Sequence, residues 1–184
     1  MGDPKRQRKK YKTPSHPWQR ERLYEELQLV GRYGLRNKRE LWRFKTLLSE
    51  IRRRARSLLA LPPSEREAQE KALIHRLYIM GVLDKDAMLD DILNLTVEDL
   101  LKRRLQTVVY EMGLAKTIHQ ARQMIVHRHI TVNGRIVTSP SYIVKRDDVI
   151  AVHPRSPYLK LQKAVEEVLE SVPPTTTSET TEEK

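Results

Sequence analysis

The side chains able to do chemistry in this chain are mostly cations, and they occur in clusters. Lys5, Arg6, Arg8, Lys9 and Lys10 crowd the N-terminal stretch. Arg39, Arg43, Arg52, Arg53, Arg54 and Arg56 follow, and Arg104, Lys116, His119, Arg122, Arg128 and Arg135 form a third group. Guanidinium and ammonium groups at this density do one thing well: they attract a polyanion and donate hydrogen bonds to its phosphates. Thr117 stands where a helix should begin, and a helix N-terminus presents free N–H groups and positive dipole to a phosphate. Catalytic patterns are missing. No Ser-His-Asp spacing, nucleophile elbow or Gly-rich phosphate loop can be read, and zero Cys excludes thiolate chemistry and Cys-based metal sites. His127 and His129 are spaced like ligands on a strand, but no third ligand is evident; phosphate or base contact suits them better. No cofactor and no metal are expected.

The bulk composition agrees. The 184 residues include 35 Lys plus Arg against 24 Asp plus Glu, for a net charge of +11. Residues 1–60 carry +12, 61–100 carry −5, 101–160 carry +8 and 161–184 carry −4. A solubility device would spread its charge, whereas segregated charge of one sign builds a potential. Nucleic acid is the expected partner. A membrane is not: no run approaches the roughly 18 apolar residues of a span, the basic segment Met1 to Tyr11 is not followed by the apolar core of a secretory signal, and the basic segments lack a broad aromatic-rich apolar face beside them.

These groups must be held by secondary structure, and the apolar spacing says which. Residues 1–19 read as a basic extended arm, broken by Pro4, Pro14 and Pro17. Residues 20–100 read as a helical region. Its first helix places Leu23, Leu27 and Val30 on one face. Its second, over 38–60, places Leu41, Phe44, Leu48, Ile51, Ala55 and Leu58 at alternating steps of three and four, with the arginines on its other faces. Ser64 and Glu67 have capping-box spacing for a third helix, with Ala68, Leu73, Leu77 and Met80 inward. The acidic stretch 84–99 reads as a spacer turned away from phosphate or toward a basic neighbour. In 101–155 the period changes. Leu105, Val108, Val109 and Met112 mark one helix; Thr117 and Gln120 cap another carrying Ile118, Ala121 and Ile125 inward. Alternation then sets in at Ile130–Val132, and Asn133-Gly134 signals a type I′ hairpin turn. A last strand covers 149–152. The expected fold class is α+β: a mainly helical N-terminal region plus a small αα-β-hairpin unit. Residues 156–172 read as a C-terminal helix with Leu161, Ala164, Val165, Val168 and Leu169 apolar, expected to dock on the helical region, and 173–184 as a disordered tail.

The run Arg103-Arg104-Leu105-Gln106-Thr107-Val108-Val109-Tyr110, then Gly113-Leu114-Ala115, Ala121-Arg122-Gln123 and Val132-Asn133-Gly134, resembles the small RNA-binding domain named after the fourth protein of the small ribosomal subunit. That domain also occurs in tyrosyl-tRNA synthetases and pseudouridine synthases. Tyr33-Gly34-Leu35-Arg36-Asn37-Lys38-Arg39-Glu40 and Ala55-Arg56-Ser57-Leu58-Leu59 extend the resemblance to the universal ribosomal protein four family, in its archaeal and eukaryotic branch. The sequence departs from the family where Gln106 stands for an Asp, Thr117 for a Ser and His129 for a Gly. The resemblance implies a non-catalytic protein of the cytoplasmic ribosome. It implies primary binding to small-subunit rRNA at a multi-helix junction, with neighbouring small-subunit ribosomal proteins as partners and mRNA passing close by. It also adds Arg103, Gln123 and Asn133 to the candidate RNA-binding residues.

Overall fold

The apolar stripe of the second helix organises the first half of the molecule. The computed structural model describes residues 9–159. Helices α1 (Arg20–Arg32) and α2 (Lys38–Leu59) are followed by α3 (Pro63–Ile79), α4 (Leu89–Asn94) and α5 (Val97–Lys102). In α2 the buried residues are Leu41, Phe44, Leu48, Ile51, Ala55 and Leu58, the six expected from their spacing. Asn37 caps this helix by accepting a hydrogen bond from the Glu40 N–H at 3.2 Å. The other four helices all pack against α2.

Three local expectations are corrected here. Helix α3 begins at Pro63 behind Pro62, with no side-chain cap, so Ser64 and Glu67 both lie inside the helix and no capping box forms; Ala68 is exposed. Proline is suited to that first helical position because its missing N–H would have had no partner there. In α1, Leu27 is exposed and Glu26 is the buried residue. The acidic stretch is not a spacer. Helices α4 and α5, with the Leu95 between them, send Leu89, Ile92, Leu95, Leu100 and Leu101 into the core with α2. Asp91 and Asp99 accept hydrogen bonds from the Met88 and Thr96 N–H groups, so acids that look like surface charge are helix caps.

A second cluster of buried residues is built by α6 (Leu105–Glu111), α7 (Ile118–Val126) and the strands β1 (Ile130–Val132) and β3 (Ile150–Val152), while both residues of β2 (Arg135–Ile136) are exposed. The strands form one antiparallel sheet in the order β2-β1-β3. Thr131 faces Ile136 on one side and Ala151 on the other. Asn133 and Gly134 both take positive φ, 51° and 76°, as the type I′ turn requires. The Asn133 side chain also clips this turn to the loop before β3: its amide donates to Asp148 at 2.8 Å and its oxygen accepts from Val149 N–H at 2.8 Å. Replacing both residues by alanine is expected to cost about 1–2 kcal/mol at each positive-φ position. Thermal melting would show it, and an unchanged melting temperature would contradict the turn. The other left-handed non-glycine residue among those described is Arg128, φ 65°, one position before the His129 that departs from the family pattern.

Of the C-terminal helix expected over 156–172, residues 157–159 are helical; the remainder, the tail and the docking assigned to residues 161–171 lie outside the described residues, as do Lys5, Arg6 and Arg8 of the arm.

Candidate nucleic-acid interface

Helix α2 buries one stripe, and the remaining faces are where its arginines must go. Arg39, Arg43, Arg53, Arg54 and Arg56 are all exposed along it. Arg52 is only half-buried and donates to the Leu95 carbonyl, so it ties α2 to the α4–α5 connection. The arm returns onto the same helix. Tyr11 packs on Trp42 with ring centroids 6.0 Å apart, Lys12 N–H donates to Thr46 Oγ1 at 3.0 Å, and Lys9 lies over the Tyr11 ring. Lys9 and Lys10, both exposed, therefore leave the body from a fixed point on α2.

Trp42 is itself held. Its indole N–H donates to Glu26 at 3.1 Å, and the same buried carboxylate takes Lys45 at 2.9 Å and Lys38 at 3.6 Å. Burial pushes the Glu26 carboxyl up, but the Lys45 and Trp42 hydrogen bonds and the two ammonium charges outweigh it and hold it below the usual range. Two of the cations near α2 are thus turned inward by one acid.

The second basic surface surrounds α7. Thr117 caps it by accepting the Gln120 N–H at 3.1 Å, and the Gln120 side chain reaches back one residue further than a capping box would, to the Lys116 N–H. Lys116, Thr117, His119 and Gln123 are exposed on this helix and its start; Arg128, Asn133 and Arg135 are exposed beyond its end. His129 is half-buried, with Nδ1 3.1 Å from Ser156 Oγ and its ring edge-on to Tyr158. Among the described residues no group of three or more His, Cys, Asp or Glu could hold a metal ion.

Three candidates do other work. Arg104, expected outside the core, is completely buried. Its guanidinium donates to Glu40 at 2.9 Å and lies over the Phe44 ring. Arg122 is partly buried and meets the same carboxylate at 2.7 Å through a second nitrogen. Arg103 donates to the carbonyls of Met80 and Val144, fastening α3 to the second half. The reason is a spatial one: the residues that open α6 lie at the seam between the two cores, where α2 also begins. Spacing along the chain could not reveal this, because Glu40 is 64 residues from Arg104 and 82 from Arg122. The available signal was Glu40 itself, an isolated acid at the start of an Arg-rich helix, and it was not read as a partner. Gln106 was missed in the same way. It is fully buried and donates to the carbonyls of Gly34 and Ile118, with its oxygen near both arginines. Gly34, at φ 55°, lets the backbones approach this closely: a Cβ there would stand 2.7 Å from Ile118 and 2.9 Å from the Gln106 amide.

The arrangement is two basic faces, from α2 and from α7 with the hairpin, joined by a seam in which Glu40 is shared between Arg104 and Arg122. It can bind a folded polyanion across both faces. No helix among the described residues is long and apolar enough to cross a membrane.

Comparison with known proteins follows the same division. Residues 5–102 match the family described as ribosomal protein S4/S9 N-terminal domain, and residues 103–150 match the S4 domain. The boundary falls at Arg103, where the seam lies. The chain is 61% identical over 162 residues to the small ribosomal subunit protein uS4 of Hyperthermus butylicus, covering 87% of this chain and 92% of that one. It is 59% identical to the uS4 protein of Ignicoccus hospitalis, covering 87% and 98%, and 58% identical to that of Sulfurisphaera tokodaii, covering 86% and 91%. With both halves matched in order and relatives this similar over most of their length, the chain belongs to the ribosomal protein S4/S9 family.

Proposed function

We propose that this chain is a structural constituent of the small ribosomal subunit. In this reading it binds small-subunit rRNA at a multi-helix junction early in assembly and borders the path along which mRNA enters, with ribosomal proteins as neighbours and no catalytic step. The observation that carries the reading is the pair of exposed basic faces, in a chain whose relatives are named as small-subunit proteins over most of its length. RNA junctions are recognised through shape, phosphates and 2′-hydroxyls, which calls for arginine and lysine on a fixed surface more than for base-reading residues. The proposed contacts are the exposed members of the candidate set: Arg39, Arg43, Arg53, Arg54 and Arg56 on α2, and Lys116, Thr117, His119, Gln123, Arg128 and Arg135 around α7. The basic arm, Lys5 to Lys10, is proposed to extend this surface.

The test is a footprint of the purified chain on small-subunit rRNA, with protection expected at one defined junction. Uniform weak protection would contradict the proposal. Lys116→Ala should weaken binding several-fold and reduce the salt slope by about 1, because one phosphate contact is removed. A charge-reversal control must avoid acids that hold the fold, such as Glu98, which pairs with Arg32 at 3.0 Å and accepts from Tyr33. Glu65→Lys serves as the control, at an exposed position that forms no ion pair among the described residues. Equal effects of the Lys116 and Glu65 changes would show that the wrong face has been assigned.

A further inference from the structure

A carboxylate occupies the middle of a surface otherwise assembled from cations. Glu40 receives Arg104 on one oxygen at 2.9 Å and Arg122 on the other at 2.7 Å. Arg104 comes from the start of α6 and Arg122 from α7, while Glu40 belongs to the first turn of α2, so the acid joins the two halves of the molecule. Arg104 has no exposed surface, and its Nε and Nη1 groups have no hydrogen-bond partner. Glu40 is therefore the one counter-charge within ion-pair distance of a buried cation among the described residues. Apolar packing does not finish the seam. A notch of about 180 Å³ remains beside it, lined by Arg43, Phe44, Leu47, Ser141 and Ile143 together with Glu40 and Arg104. Arg103 and Arg146 fasten the opposite side, on α3 and the loop after it. On the α2 side the ion pairs, with Gln106 bound to Gly34, hold the two halves together.

We propose that Glu40 is a positioning residue for RNA recognition: by joining Arg104 and Arg122 it sets the α6–α7 unit at one angle to α2, so that both basic faces meet a folded RNA in register. This rests on the reading that the chain binds rRNA. Its consequence runs against simple electrostatics. Removing an acid raises the net charge and should strengthen binding to any RNA. If Glu40 sets the geometry, its removal instead weakens binding to the junction and leaves or raises affinity for unrelated RNA, because only the junction demands both faces in one arrangement.

The test uses Glu40→Gln, Arg122→Gln and the double variant in the full chain. Dissociation constants are measured for a small-subunit rRNA junction and for an unrelated RNA duplex. The absence of Cys allows spin labels at Ser49→Cys on α2 and Val126→Cys on α7, both exposed, to report the distance between the halves without RNA. Glu40→Gln is expected to bind the junction about tenfold more weakly, to bind the duplex at least as well, and to broaden the distance distribution. Residues of one network couple, so the double variant should be no weaker than Glu40→Gln alone. The proposal is overturned if Glu40→Gln retains junction affinity, if the two changes add as independent contacts would, or if the distance distribution stays narrow. Should Glu40→Gln lose helical content, Arg122→Gln, which leaves Glu40 on Arg104, carries the distance readout: a broadened distribution supports the proposal and an unchanged one overturns it. A wild-type chain that fails to prefer the junction would refute the functional reading, and the RNA-free distances would still decide the seam.

Discussion

Association with small-subunit rRNA is expected to fall several hundredfold when monovalent salt rises from about 50 to about 200 mM. The argument is counterion release. Each phosphate neutralised by a lysine or arginine frees condensed cations, which lowers the logarithm of the binding constant by roughly 0.7–0.9 per decade of salt. If about six phosphates are engaged the slope is near −4 to −5. The exposed cations can supply six contacts: Arg39, Arg43, Arg53, Arg54 and Arg56 on α2, with Lys116, Arg128 and Arg135 around α7. Arg104 cannot contribute, being buried on Glu40, and neither Lys45 nor Lys38 is free of Glu26. The slope thus discriminates between an interface drawn from charge clusters along the chain and one drawn from the cations left exposed. Titrations over that salt range measure it directly, and a flat response would remove the basic faces as the binding surface.

The second large effect is on stability. Glu40→Ala should destabilise the protein by about 3–5 kcal/mol, the usual consequence of removing one partner from a buried ion pair. At roughly 2–4 °C per kcal/mol for a chain of this size, the melting temperature would fall by about 6–20 °C. The cost arises because Arg104 remains buried with no compensating charge, and the Phe44 ring face is a weak substitute. Truncating Glu67, which pairs with Lys71 on the exposed face of α3, should leave melting unchanged. Calorimetry of the two variants compares them, and a shift of under about 2 °C for Glu40→Ala would mean that the seam is held by packing alone. The same pair sets a pH dependence. Burial raises the Glu40 carboxyl, but the Arg122 and Arg104 hydrogen bonds and charges outweigh it and keep the group below its ordinary value. A lowered folded-state value stabilises the protein above the unfolded Glu range, near pH 4.3. That contribution is lost as pH falls from there through the folded value, so acid should loosen the seam.

What the sequence determined by itself is local. The stripe Leu41 to Leu58 and the Asn133-Gly134 turn were legible because each depends on residues within a few positions: helical period in one case, tolerance of positive φ in the other. The basic character of two surfaces was legible too, because unpaired charge has to face solvent and net charge survives folding. Family motifs carried the α+β class. What only the tertiary structure decided is which charges remain free. Helices α4 and α5 turned out to be core because their apolar residues meet α2, and no pattern inside a six-residue helix announces its partner. Arg103 and Arg104 are adjacent on the chain, yet the fold buries Arg104 on Glu40 and leaves Arg103 half-buried on two backbone carbonyls. An arginine's role is set by the nearest carboxylate or carbonyl in space, and Coulomb attraction depends on that distance and on burial, neither of which chain spacing encodes.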